Sequence, residues 1–254
     1  KIKMKIEEIK EILKNTEEAA LAEKLEEFQK DERQGVQKLI LQYEKKVEKY
    51  KEELKRIENM CVYEKKYSQA QYICGIDEVG RGPLAGPVVT CAVILPKDCR
   101  ILYVNDSKKL SEKKREELYS VIMKQALDVS IGIESPEVID EINILQATYS
   151  AMRKSIEGLK YKPDVVLVDA VTIPEISYKQ EPIIKGDAKS ISIAAASIIA
   201  KVTRDRMMTE YDKLYPEYDF ASNKGYGTEK HIQALKEKGA SPIHRKSFIV
   251  NFAE

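Results

Sequence analysis

The chain has 254 residues, enough for one large domain or for a catalytic domain with a small accessory one. Its 43 basic and 42 acidic residues leave a net charge of +1, so a surface for an anionic partner has to come from local clustering. No apolar run of about 18 residues occurs and the first stretch of chain is charged throughout, so neither a membrane span nor a secretory signal is expected.

Composition changes near residue 70. Residues 1–70 are rich in Lys and Glu, contain a single glycine (Gly35) and hold no proline, so good helix formers dominate. Ile2, Ile6, Ile9 and Leu13 mark a short amphipathic stretch. Thr16 is read as the cap of a second helix, with Glu17 and Glu18 in its first turn and Leu21, Leu25 and Phe28 as its apolar stripe. Asp31 to Gly35 reads as a break. Val36, Ile40, Tyr43, Val47, Tyr50, Leu54 and Ile57 then step by four and three, a seam long enough for a helical hairpin or a coiled-coil segment. This region is either a stabilising bundle or a substrate-gripping arm. Lys45, Lys46, Lys49, Lys51, Lys55 and Arg56 favour the arm, and the interleaved glutamates weaken that case.

From residue 71 the pattern becomes α/β. Tyr72–Ile76 and Val88–Leu95 read as a strand pair around a glycine-rich bend. Residues 111–126 look helical after Ser111, and Val129–Ile133 looks like a third strand. Ser135-Pro136-Glu137 starts a helix that runs through Ile139, Ile142, Leu145 and Ala147 towards Leu159. Val165–Val168 is a short strand buried on both faces, Pro182–Ile184 another strand, and Ile191–Tyr211 a core helix. Two turns and a helix near 228–238 follow. The expected whole is an α/β domain over residues 71–254 with a mixed sheet flanked by helices, preceded by an all-helical extension over 1–70.

Acids at the ends of apolar strands carry the chemistry. Asp77 and Glu78 close the first strand, Asp169 closes Val165–Val168, and Asp187 lies in the loop before the long helix. Each alone could be an ordinary turn or helix cap. Together they are costly next to buried strands unless something compensates them, and a divalent cation is the natural compensator. With only His231 and His244 available, and with Cys61, Cys74, Cys91 and Cys99 in no zinc-ligand spacing, such a site favours Mg2+ or Mn2+ over zinc. Cys74 and Cys91 lie in apolar runs as small buried thiols, a usage that suits the cytoplasm. Adjacent Asp77 and Glu78 point to opposite faces of a regular strand, so the strand is expected to end or kink there, with Gly75, Gly80, Gly82 and Gly86 as the means. No dinucleotide or P-loop fingerprint occurs.

The run Gly75-Ile76-Asp77-Glu78-Val79-Gly80-Arg81-Gly82-Pro83-Leu84-Ala85-Gly86-Pro87-Val88 resembles the signature of ribonuclease HII. Asp106-Ser107-Lys108-Lys109-Leu110, Leu167-Val168-Asp169, Lys185-Gly186-Asp187-Ala188-Lys189-Ser190, the helix Ile193–Arg206, Asn223-Lys224-Gly225-Tyr226-Gly227-Thr228 and His244-Arg245-Lys246-Ser247-Phe248 extend the likeness over roughly 71–250. The tripeptide Gly80-Arg81-Gly82 favours type HII over ribonuclease HIII.

The resemblance implies a ribonuclease H-like fold and roles for particular residues. Asp77, Glu78, Asp169 and Asp187 match four metal-binding, catalytic carboxylates. Gly80, Arg81 and Gly82 match the segment that reads a ribose 2′-hydroxyl and grips flanking phosphates, the 2′-hydroxyl being what separates RNA from DNA. Tyr226 matches a tyrosine that stacks on the next sugar. Lys108, Lys189, Ser190 and Lys224 are candidate phosphate contacts, Lys189 and Ser190 at a helix N-terminus. His244 is left between a structural and a catalytic role. The implied partners are RNA–DNA hybrids and ribonucleotide-containing duplex DNA. The implied reaction is two-metal hydrolysis on the 5′ side of a ribonucleotide, performed by a cytoplasmic monomer. A different nuclease on the same fold would cut all-DNA duplexes, and a helical interaction protein, suggested by residues 1–70 alone, would need none of the acids.

Overall fold

A computed structural model describes residues 4–252, so Ile2 of the first amphipathic stretch lies outside the described residues. The chain divides into two compact units, one up to Glu58 and one from Asn59 onward.

In the first unit, α1 (Ile6–Asn15) and α2 (Leu21–Glu26) pack on the N-terminal half of α3 (Gln34–Asn59). Ile9, Leu13, Leu21, Leu25, Val36, Ile40 and Tyr43 form the core. Each aliphatic side chain so buried contributes about 1.5–3 kcal/mol, which small helices need because they are marginal alone. Thr16 does not cap α2. Its hydroxyl donates back to the Ile12 carbonyl at 2.7 Å, ending α1, and a 3-10 turn at Glu18–Ala20 leads into α2. Gly35 lies inside α3 rather than in the break. A Cβ there would meet Ile6 Cδ1 at 2.7 Å, so α1 and α3 approach closely. Along the seam beyond Val47, Leu54 is 44% exposed whereas Ile57 is buried.

The second unit opens with α4 (Val62–Lys66). Tyr63, Tyr67 and Ala70 pack against Val165, Leu167, Ile183 and Ile193. The sheet holds β1 (Ile73–Val79), β2 (Val88–Ile94), β3 (Asp128–Glu134), β4 (Val165–Asp169) and β5 (Lys179–Ile183) in the order β3-β2-β1-β4-β5. β1 pairs antiparallel with β2, β2 antiparallel with β3, and β1, β4 and β5 run parallel. The sheet is mixed, as expected. Every residue of β2 is buried, matching a run that is apolar at every position but Thr90. Pro182 sits in β5, an edge strand, where its missing N–H is tolerated.

α5 (Glu112–Gln125) starts at Ser111, whose hydroxyl accepts the Lys114 N–H. α6 (Pro136–Glu157) starts at Ser135 in the same way but is not continuous. Asn143 has φ 68° and ψ 164°, and its Oδ1 accepts the Gln146 N–H at 3.0 Å, capping a restarted helix. The long α7 (Ile191–Leu214) is followed by the short α8 (Phe220–Asn223) and by α9 (Glu229–Lys238).

Strand parity assigns the faces. Cys74, Ile76, Val166 and Val168 pack with Met152 and Ile156 of α6. Val165 and Leu167 pack with Ile193 of α7 on the other face. Gly75 belongs to that second face, where a Cβ would lie 2.2 Å from the Ser192 carbonyl carbon. The absence of that atom lets α7 lie directly on β1.

Candidate active site

β1 does not end at the acids. Asp77 pairs with Cys91, Glu78 with Thr90 and Val79 with Val89, so the ladder runs past both. Period-two alternation therefore holds and the two side chains diverge. Asp77 falls on the α7 face with Gly75, and Asp169 falls there with Val165 and Leu167. The register Ile76 to Val168 brings the two acids side by side at the carboxyl ends of central strands. Asp187, in a 3-10 turn at Gly186–Ala188 just before α7, completes the group. One carboxylate oxygen from each of Asp77, Asp169 and Asp187 lies within 4.8 Å of the others. Glu78 stands outside this set, on the α6 face of β1, beside Arg81 at 3.4 Å.

The electrostatics are those of crowded acids. Burial, then the charges of Glu78 and Asp169, push the Asp77 carboxyl well above the ordinary range. Burial, then Asp106 and Asp169, lift Asp187 to about 6. Glu78 is raised by burial and by Asp169, and eased by Arg81 and Lys108. Oxygen donors held together against mutual repulsion suit a hard divalent cation, so this group of residues fits one. Two contributors escaped the sequence reading. Asp106 lies close enough to Asp187 to raise its carboxyl, and Ser197 of α7 lies close enough to Asp77 to ease its shift. Asp106 stood in a quoted motif, but nothing in one sequence marks it as neighbour to Asp187.

The glycine-rich segment after β1 forms a loop over the same strand end. Gly80 and Gly86 have φ of 89° and 87°, a region that L side chains rarely adopt. A Cβ on Gly80 would strike Arg204 Nε at 2.3 Å, and one on Gly86 would strike Met208 Sδ at 2.5 Å. These glycines serve packing as well as turning. Arg81 and Gly82 are exposed, and a Cβ on Gly82 would meet only the Tyr226 ring, at 3.7 Å. The structure thus brings Tyr226, 42% exposed, over the glycine tripeptide.

The remaining expected residues divide. Lys108 is exposed and close enough to Glu78 and Asp187 to lower both their carboxyls. Lys189 is exposed at the start of α7. Ser190 has no exposed surface. Its hydroxyl accepts the Ile193 N–H and donates to Glu64 at 2.6 Å, which leaves nothing for a phosphate. The Lys224 ammonium donates to the Ala221 carbonyl at 2.5 Å and so tends its own turn. His244 is buried in a relay. The Ser241 N–H donates to its Nδ1, its Nε2 meets His231 Nε2 at 2.9 Å, and His231 Nδ1 meets the Tyr226 carbonyl at 2.8 Å. With Nδ1 of His244 an acceptor, its Nε2–H donates to His231, and His231 Nδ1–H donates to Tyr226. Both rings are neutral, and His244 supports the tyrosine loop.

Comparison with known proteins agrees with this geometry. Residues 74–251 match the family profile of ribonuclease HII, and residues 5–68 match that of the ribonuclease HII N-terminal domain. The chain belongs to the ribonuclease HII family. It is 60% identical over 248 residues to the ribonuclease HII of Lachnoclostridium phytofermentans, covering 98% of each chain. It is 54% identical to that of Clostridioides difficile, covering 97% of each. Among solved structures, the ribonuclease H2 of Pyrococcus horikoshii superposes with a TM-score of 0.58 at 29% identity, over 70% of this chain and 93% of that one. The ribonuclease HII of Archaeoglobus fulgidus, solved in complex with PCNA, gives 0.60 at 30% identity, over 72% and 97%. Members of this family are ribonuclease H endonucleases that act on nucleic acid and depend on divalent metal, and the acidic cluster found here is consistent with that. No helix among the described residues is long and apolar enough to cross a membrane.

Proposed function

We propose that the chain hydrolyses the phosphodiester on the 5′ side of a ribonucleotide, in RNA–DNA hybrids and at single ribonucleotides embedded in duplex DNA, leaving a 3′-hydroxyl and a 5′-phosphate. The observation that carries this reading is continuity. The strand that presents Asp77 and Glu78 runs straight into the exposed Gly82, over which Tyr226 lies. An acid cluster for phosphodiester chemistry and a backbone surface for a sugar therefore share one strand end.

Asp77, Asp169 and Asp187 would hold Mg2+ or Mn2+, with Glu78 contributing from the opposite face of β1 for a second ion. Such cations supply positive charge at the scissile phosphate and at the attacking and departing oxygens. Asp77 is fixed for this by the Glu78 N–H, which donates to its Oδ1 at 2.8 Å. Arg81 and Lys108, both exposed, draw phosphates towards the acids. The Gly80–Gly82 backbone takes the 2′-hydroxyl, because a missing side chain permits main-chain approach. Tyr226 offers a flat ring to the following sugar, which fits a deoxyribose more closely than a ribose and so favours an RNA–DNA junction. Lys189 suits a more distant phosphate.

The first unit suits a substrate-binding accessory, because Lys45, Lys46, Lys49, Lys51 and Lys55 are all exposed along α3. One chain supplies every acid of the cluster, which suits a monomer, and removal of ribonucleotides from DNA in the cytoplasm is the corresponding role. The test is a 5′-labelled duplex carrying one ribonucleotide, incubated with Mg2+, with Mn2+ and with chelator. A labelled product ending in a 3′-hydroxyl immediately 5′ of the ribonucleotide, formed only with metal, is expected. Cutting elsewhere, or cutting in chelator, would refute the reading.

A further inference from the structure

Two arginines, Arg204 and Arg245, are wholly buried, and neither guanidinium bonds a carboxylate among the described residues. Each nitrogen of each fork takes a different backbone carbonyl. Arg204, on α7, donates through Nε to Pro87 at 2.9 Å, through Nη1 to Lys224 at 2.7 Å and through Nη2 to Ala85 at 3.0 Å. Arg245 donates through Nε to Gly86 at 2.9 Å, through Nη1 to Arg81 at 2.9 Å and through Nη2 to Gly80 at 2.5 Å. The acceptors lie on only two loops, the one after β1 and the one before Tyr226.

Buried unpaired charge is expensive, and well-packed apolar side chains commonly serve stability as well or better. Filling space is therefore a poor account of two such residues. A planar fork with spread donors does what a hydrocarbon cannot, which is to fix several carbonyls relative to one another. The backbone is shaped to admit the forks. Gly80 and Gly86 leave room at Arg204 Nε and Nη2, where a Cβ would stand at 2.3 and 3.2 Å. The two loops are also joined by Leu84 N–H to the Gly225 carbonyl at 2.8 Å. In a trans peptide the carbonyl and the N–H point opposite ways. Drawing the Gly80 and Arg81 carbonyls inward onto Arg245 thus turns the Arg81 and Gly82 amides outward, towards the exposed side.

We propose that Arg204 and Arg245 are positioning residues that set the spacing between the Gly80–Gly82 amides and Tyr226, and thereby the preference for a ribonucleotide followed by a deoxyribonucleotide. This rests on the function proposed above. Arg245 aims the amides that meet the ribose, and Arg204 bridges that loop to the one carrying the tyrosine. A clamp that slackens should still leave the acids cutting RNA, because Asp77, Asp169 and Asp187 are bonded to neither arginine, but it should blur the junction.

The test compares kcat/KM on a duplex with one embedded ribonucleotide and on a uniform RNA–DNA hybrid, in the full chain and in the Arg204→Lys and Arg245→Lys variants. A lysine keeps the charge but has one nitrogen for three carbonyls. Because both substrates see the same preparation, their ratio does not depend on the fraction folded. A fall in the single-ribonucleotide to hybrid ratio of tenfold or more in each variant is expected. An unchanged ratio, whatever the loss of overall activity, would overturn the clamp. A wild-type chain that cuts an all-DNA duplex equally well would instead overturn the underlying function. Should neither variant fold, the wild-type chain decides by NMR in chelator. Arginine Nε–H signals that persist at high pH should shift on adding the single-ribonucleotide duplex and not the all-DNA one, and equal response to both would overturn the proposal.

Discussion

The Gly186 amide donates to Asp169 Oδ1 at 2.6 Å, so the backbone just ahead of Asp187 is tied to the neighbouring acid of β4. A Cβ on Gly186 would come within 3.3 Å of that same oxygen and 2.6 Å of Ile193 Cδ1. Asp169 is thus both an acid of the cluster and the anchor for the turn that presents another one. The two duties separate by substitution. Asp169→Asn keeps an oxygen to accept the Gly186 N–H, whereas Asp169→Ala leaves that donor bare, at a cost of about 1–3 kcal/mol. Both variants should lose at least a hundredfold in kcat. Only the alanine variant should lose melting temperature, which calorimetry would read.

Asp77 lies at a place that resists charge. Its carboxyl, and that of Asp187 at about 6, sit above their ordinary value of 3.8. A group raised in the folded state stabilises the fold most at low pH, and that stability is lost as pH rises from near 4 through the raised value. In chelator, Asp77→Asn should therefore melt higher than the wild-type chain, with a gap that widens between pH 5 and 7.5. Added Mg2+ should close or reverse the gap by stabilising only the wild type. A gap independent of pH and metal would contradict the cluster's electrostatics. The same variant should be nearly inactive.

The histidine relay titrates in the opposite sense. Burial, then His231, lowers His244 to about 4 from 6.5, and burial lowers His231. A depressed histidine contributes stability that is present above about 6.5 and lost as pH falls through the folded value. The stability difference between wild type and His244→Gln should shrink by on the order of 2–3 kcal/mol between pH 7 and pH 4. Denaturant melts across that range measure it, and a difference that grows on acidification would contradict a neutral relay.

Much of this was legible in the sequence. Asp77, Asp169 and Asp187 could be read together because strand ends and the start of a core helix show in the apolar runs, whereas the glycine tripeptide and Tyr226 were expected from the resemblance to ribonuclease HII alone. What was not legible is parity and partnership. Asp77 and Glu78 looked as though a kink must converge them, yet β1 stays regular to Val79 and sends them to different faces. Ser190 looked like a phosphate contact because a capping serine and an exposed one read alike in sequence. Only tertiary packing places Glu64 against it. The side chains of Tyr63 and Tyr67 pack on the sheet, a contact that nothing in their sequence pattern marks.

The glycine loop offers a clean pair of substitutions. Gly80→Ala places a methyl 2.3 Å from Arg204 Nε at φ 89°, a double penalty that should cost about 2 kcal/mol or more. Gly82→Ala meets only the Tyr226 ring at an ordinary 3.7 Å. Its melting temperature should stay at the wild-type value while kcat/KM on a ribonucleotide-bearing duplex falls at least tenfold, because the methyl occupies the face offered to the sugar. Thermal melts and steady-state kinetics on the two variants check both halves.

The most direct measurement is the cleavage rate, with Mg2+, on two duplexes of identical sequence that differ only in one 2′-hydroxyl. Cutting of the ribonucleotide duplex at least a thousandfold faster than its all-deoxy counterpart, abolished by chelator and by Asp77→Asn, is the expected result. Equal rates on the two duplexes would contradict a ribose sensor at Gly80–Gly82, even if the acids proved to be a nuclease site.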